Sequence, residues 1–164
     1  MKKDDPKIKE LDEVMRKYKR TVYGIALTQL NSREDADDVF QDVFLLYFCK
    51  ELSFDSEVAR RSWLIKTTVN KCRQYNLNKW SKNIDKSTTP EELDAVADMP
   101  QREREIYAAV KSLPPKFREI IYLHGFLGLT VGEICDILKL KQSTVSMRLT
   151  KARKLLKQRL EAGK

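Results

Sequence analysis

Residues 130–160 read TVGEICDILKLKQSTVSMRLTKARKLLKQRL, and this stretch decides the fold class. Thr130 followed three residues later by Glu133 is a capping box, which opens a helix that buries Ile134, Ile137 and Leu138. Lys139 to Gln142 form a short turn. Ser143 or Thr144 is expected to cap a second helix, with Val145, Leu149, Ala152, Leu156 and Leu160 on its inner face. A short capped helix, a tight turn and a longer basic helix make a helix-turn-helix, whose second helix enters the major groove of duplex DNA. Between Ile137 and Leu160 stand eight basic residues and no acidic one, so this helix can neutralise phosphates and release counterions. Its exposed start, Gln142, Ser143, Thr144, Ser146 and Met147, carries groups able to meet base edges. A solvated basic helix at the end of a bundle is the competing explanation.

Working outward, Leu113-Pro114-Pro115 breaks one helix and starts another, since proline suits a helical first turn. That next helix is expected to bury Phe117, Ile120, Ile121 and His124, and Gly125 to Leu129 to form a turn. Upstream, an apolar stripe of Ile8, Leu11, Met15, Tyr18, Val22 and Ile25 predicts a helix from about Lys7 to Leu30. Asn31-Ser32 breaks it. Ser32 then caps a helix whose first turn is acidic and whose buried side holds Ala36, Val39, Phe40, Val43, Phe44 and Tyr47. A third helix runs from near Val58 to about Lys82. The chain is therefore expected to be all-α: two small helical domains, residues 1–82 and 101–164, joined by a flexible acidic linker over 83–100.

Charge is segregated along this frame. Residues 1–82 carry 17 basic and 13 acidic groups, residues 83–100 one and five, and residues 101–164 fourteen and six. Basic surfaces separated by an acidic stretch point to a polyanion partner rather than to solubility alone. From Arg60 to Lys82 seven basic residues stand without an acidic neighbour. Trp63, Tyr75 and Trp80 are interleaved with them, which is the chemistry of single-stranded nucleic acid binding. A core role for Trp63-Leu64 competes with that reading. The second helix has the opposite sign: Asp38, Gln41 and Asp42 share a face away from Val39 and Val43, suited to a protein partner with basic groups. A divalent-metal site is a further use for such carboxylates.

Other classes find little support. No run of about 18 apolar residues offers a membrane span. The charged start, Met1-Lys2-Lys3-Asp4-Asp5-Pro6, is unlike a secretory signal. Cys49, Cys72 and Cys135 are scattered, which suits a reducing cytosol, and His124 is the sole histidine, so no metal centre or cofactor is expected.

Taken in order, these pieces resemble the extracytoplasmic-function (ECF) group of sigma-70 family factors, from about Tyr18 to Leu160 apart from the linker. Asp35-Ala36-Asp37-Asp38-Val39-Phe40-Gln41-Asp42-Val43-Phe44 looks like the helix with which that family docks on the beta-prime clamp of RNA polymerase. Trp63-Leu64, six residues before Asn70, looks like the segment that melts and captures the downstream promoter element. Thr144-Val145, Arg148-Leu149 and Lys151-Ala152-Arg153 look like the helix that recognises the upstream element. Leu113 to Arg118 and Leu129 to Ile134 match the approach to it.

The resemblance implies a non-enzymatic sigma factor acting in the cytoplasm. Its partners would be core RNA polymerase, through beta-prime and beta, and promoter DNA, and the family also admits an anti-sigma protein. Asp38, Gln41 and Asp42 inherit the polymerase contact. Phe54, Arg60, Arg61, Trp63, Lys66, Asn70 and Arg73 inherit the downstream element, Asn70 and Phe54 holding a flipped base. Ser143, Thr144, Ser146, Met147, Arg148, Lys151 and Arg153 inherit the upstream element. The family usually has a basic residue where Ser146 stands and a small one where Met147 stands. Lys66-Thr67-Thr68-Val69 replaces its usual arginine and small apolar residues. A free-standing helix-turn-helix regulator and a metal-dependent nuclease are the rival functions.

Overall fold

The computed structural model describes residues 5–80 and 100–162. The chain divides into two compact units, Met1–Lys86 and Ser87–Lys164. Among the described residues all regular structure is helical, and no helix is long and apolar enough to cross a membrane. The acidic linker expected over 83–100 lies outside the described residues except for Pro100.

The first unit packs three helices: α1 (Pro6–Gln29), α2 (Arg33–Cys49) and α3 (Glu57–Trp80). Asp5 caps α1 by accepting from the Lys7 amide at 2.9 Å. Ser32 caps α2 by accepting from the Asp35 amide at 3.1 Å, each satisfying one of the orphan donors of a helix start. The core consists of Val22, Ile25 and Leu30 from α1 and its end, Val39 and Val43 from α2, and Leu64, Ile65 and Val69 from α3, all at most 1% exposed. Each such aliphatic side chain stabilises the unit by roughly 1.5–3 kcal/mol relative to exposure. The α1 stripe begins in earnest at Val14; Ile8, Leu11 and Met15 are only half-buried.

The second unit holds α4 (Gln101–Lys111), α5 (Pro115–Ile121), α6 (Val131–Leu138) and α7 (Gln142–Ala162). Val110, Leu113, Phe117, Ile121 and Ala152 form one buried cluster, which Ile106, Leu155 and Leu156 flank. Two local expectations need correction. The segment from Gly125 was read as a turn, but α5 continues through a widened helical turn over Tyr122–Phe126, in which the Leu127 amide reaches the Tyr122 carbonyl at 3.1 Å. The Tyr122 and Phe126 rings stack there at 5.3 Å, and only at Gly128, with φ +72°, does the chain turn away. His124 is half-buried rather than core, its Nδ1 lying 2.9 Å from the Leu129 carbonyl oxygen.

Candidate nucleic-acid interface

The acidic helix sorts its carboxylates by direction. Asp35 turns inward, only 5% exposed, and accepts from the Tyr75 hydroxyl of α3 at 2.9 Å. Asp37 accepts from the Tyr23 hydroxyl of α1 at 2.7 Å. Asp38, Gln41 and Asp42 stay exposed on one face, and Tyr75 grazes Asp38 at 3.4 Å. Burial above all, then the bond to Asp35 and the charges of Asp35 and Asp38, hold the Tyr75 hydroxyl well above the ordinary tyrosine range. Leu45, 62% exposed, extends the same outer face by one turn. Sequence reading passed over it, although its spacing of seven from Asp38 and three from Asp42 sets it out of phase with the buried Val39 and Val43. The result is an apolar spot one turn beyond the Gln41 amide and the Asp42 carboxylate. Among the described residues no three His, Cys, Asp or Glu side chains come together as a metal site.

On α3, Leu64, Ile65, Thr68, Val69 and Cys72 face the core, so the opposite face carries Trp63, Lys66, Asn70 and, at its edge, Arg73. Lys66 and Asn70 are exposed; Arg61 and Arg73 are partly exposed. Leu77 prolongs this face and is 71% exposed. Trp63 and Phe54 are both half-buried in an aromatic group with Tyr47. Phe54 stacks on Tyr47 at 6.1 Å with 12° between the planes, and Trp63 meets Tyr47 edge-on at 5.9 Å. The structure therefore gathers Phe54 and Trp63 at one end of the face. Asn70 stands two turns further along α3, about 10 Å by helical rise.

Two residues in this region have internal partners that spacing did not reveal. The Arg60 guanidinium lies 5.6 Å from the Phe54 ring, donates to the Tyr47 hydroxyl at 3.2 Å, and pairs with Glu10 at 3.5 Å and with Glu57. It holds the aromatic group in place. Tyr75, read as a stacking face, is instead tied to α2 through its hydroxyl. The side chains of Lys79 and Trp80, and Lys82 as a whole, lie outside the described residues.

The second unit contains the expected capped helix, tight turn and longer basic helix. Thr130 Oγ1 accepts from the Glu133 amide and Glu133 returns by accepting from the Thr130 amide, both at 3.1 Å. The chain leaves α6 through Lys139 in the left-handed region, φ 58° and ψ 45°. Ser143 and Thr144 were expected to cap α7, yet the helix begins at Gln142 and the Lys141 carbonyl accepts its first bond, from Val145 at 3.0 Å. Their hydroxyls thus sit inside the first turn rather than at its cap. Val145, Leu149 and Ala152 are buried beneath. Ser143, Ser146, Met147, Lys151 and Arg153 are exposed, and Thr144 and Arg148 half-exposed. The Lys116 and Lys151 ammonium groups lie 5.0 and 5.6 Å from the Phe117 ring centre, an attraction that steadies cations at the edge of the helix.

Comparison with known proteins matches both units. Residues 14–81 match the family described as Sigma-70 region 2, and residues 103–156 the family described as Sigma-70, region 4. The ECF RNA polymerase sigma-E factor of Haemophilus influenzae is 25% identical over 168 residues, covering 93% of this chain and 88% of that protein. The ECF RNA polymerase sigma factor SigW of Bacillus subtilis is 25% identical over 161 residues, covering 87% and 84%. Among solved structures, the sigma factor RpoE in complex with the anti-sigma factor NepR, from Bartonella quintana, shares the fold with a TM-score of 0.70 at 18% identity, over 95% of this chain and 99% of that one. CnrH in complex with the cytosolic domain of CnrY gives 0.67 at 22% identity, over 94% and 89%.

Proposed function

The chain belongs to the sigma-70 family as a sigma factor of the ECF group, and from that premise we propose how its surfaces divide the work of starting transcription. The first unit docks on core RNA polymerase through Asp38, Gln41 and Asp42 of α2, with the beta-prime clamp as the receiving surface. The same unit captures the opened downstream promoter element along α3. Lys66 and Arg73 approach the backbone with Arg61, Asn70 offers a hydrogen-bonding edge to an extruded base, and Phe54 and Trp63 supply an aromatic wall. Arg60 acts by bracing that wall. The second unit reads the upstream element as duplex with Ser143, Thr144, Ser146 and Met147, while Arg148, Lys151 and Arg153 hold phosphates.

The observation that carries this reading is the opposition of sign within one small unit. An outward acidic face on α2 cannot serve the polyanion for which the outer face of α3 is suited, so the two faces need different partners. A free-standing regulator gives no use for the α2 face. Dividing recognition between two modules raises overall affinity through effective concentration, with the acidic segment 83–100 threading a basic channel of the polymerase. The enzyme would be the polymerase and not this chain, which acts with it in the cytoplasm. The RpoE–NepR structure supports an anti-sigma protein as a further partner class.

Binding to core polymerase tests the assignment. Gln41→Ala combined with Asp42→Ala should weaken binding tenfold or more, about 1.4 kcal/mol, with helicity unchanged because both side chains are exposed. Undiminished binding would place the docking face elsewhere.

A further inference from the structure

Met147 is 67% exposed at the centre of the face that α7 turns away from its own core. Val145 and Leu149, two residues to either side, are 0% and 4% exposed. Its neighbours at helical spacing are polar or cationic: Ser143 one turn before, Thr150 and Lys151 one turn after, all exposed. A large apolar side chain this exposed adds little to the fold, and it carries no charge for a phosphate. The apolar feature that a DNA major groove presents is the 5-methyl group of thymine. Methionine suits such a contact, being unbranched and polarizable, and able to follow a small apolar target.

The surroundings narrow the choice further. Thr150 donates its hydroxyl to the Ser146 carbonyl at 3.1 Å, which directs that donor into the helix rather than toward a base. Arg148 and Lys151 flank Met147 with positive charge, and no acidic residue lies between Ile137 and Leu160, so the patch complements DNA rather than a basic protein. Met147 is the sixth residue of α7, within the N-terminal half that a recognition helix inserts into the groove.

We infer that Met147 packs on the 5-methyl of one thymine in the upstream element and is a specificity-determining residue of this sigma factor. The inference rests on the reading of α7 as the upstream recognition helix. The test uses promoter fragments whose start sites are defined by core polymerase together with this chain. Each upstream thymine is replaced in turn by deoxyuridine, which keeps pairing and hydrogen-bond pattern and lacks only the methyl. One replacement should weaken the parent holoenzyme about three- to fivefold, the effect of burying one methyl group. Met147→Ala should bind the thymine fragment correspondingly more weakly and be indifferent to that replacement, while Met147→Leu keeps the discrimination. An upstream element without thymine, a flat scan with the parent, or an identical scan with Met147→Ala overturns the inference. Arg148→Ala with Lys151→Ala separates the two levels. If that variant shows the expected loss of affinity and salt dependence beside a flat scan, the methyl contact alone fails. If it binds like the parent, the reading of α7 fails with it.

Discussion

Replacing Tyr75 by Phe removes a single hydroxyl and should disturb the acidic helix measurably. That hydroxyl donates to Asp35 Oδ1 at 2.9 Å, and Asp35 is a carboxylate only 5% exposed. Hydrogen bonds to charged groups contribute about 1.5–3 kcal/mol; the 3.4 Å approach to exposed Asp38 adds little. The expected loss is about 2 kcal/mol, or roughly 10 °C in melting temperature for a unit of this size. Both tryptophans, Trp63 and Trp80, belong to α3, so tryptophan fluorescence follows the first unit alone. The difference should also depend on pH in one direction. Burial first, then Asp35 and Asp38, raise the Tyr75 hydroxyl pKa in the folded protein, whereas a tyrosine in the unfolded chain ionises near pH 10. Its contribution is therefore complete below about pH 10 and is lost as pH rises further, at about 1.4 kcal/mol per unit. Tyr23 and Tyr47 are raised as well, chiefly by burial, but they are common to both proteins and cancel in the comparison. The gap between parent and Tyr75→Phe should thus shrink to under about 1 kcal/mol by pH 11. A variant melting within about 2 °C of the parent at neutral pH, or a gap that widens above pH 10, would refute the account of this bond.

Three further outcomes follow from the geometry. Arg148→Ala with Lys151→Ala should lower upstream-duplex affinity and reduce the slope of log affinity against log salt by about 2, measured by titration at several salt concentrations. Lys139 occupies the left-handed region at φ 58°, a conformation costing a non-glycine residue about 1–2 kcal/mol. Lys139→Gly should therefore stabilise the second unit by about 0.5–1 kcal/mol after glycine's own entropy cost, seen as increased amide protection in α6. Thr130→Ala opens the capping box, and the same α6 amides should lose about 1 kcal/mol of protection.

Much of the fold was legible because its signals are local. Ser32 and Thr130 start helices by satisfying amides three residues away, and Pro115 opens α5 with a ring already set for helical φ. The widened turn at Tyr122–Phe126 was not legible, because Gly125 permits a stop without requiring one, and the stacking of the Tyr122 and Phe126 rings within the turn is visible only in three dimensions. Ser143 and Thr144 are good caps by type, but the tight turn through Lys139 starts α7 earlier.

In the candidate site, charge sign and helical phase placed Asp38, Gln41 and Asp42 on an open face of α2. What spacing could not give was the engagement of Arg60 by Glu10 and Tyr47, or of Tyr75 by Asp35, a pairing across 40 residues of chain. Both depend on how helices distant in sequence pack. Met147 was legible as part of the exposed start of its helix, whereas the exposure of Leu45 on a polar face emerged only once the buried side of α2 was fixed.

The most direct test of the central claim combines the purified chain with bacterial core polymerase and sheared genomic DNA, and maps the 5′ ends of the transcripts. The account predicts new, focused start sites that require both proteins and weaken with Gln41→Ala combined with Asp42→Ala. Specific retention of DNA by the chain alone, with no new starts when polymerase is added, would contradict it.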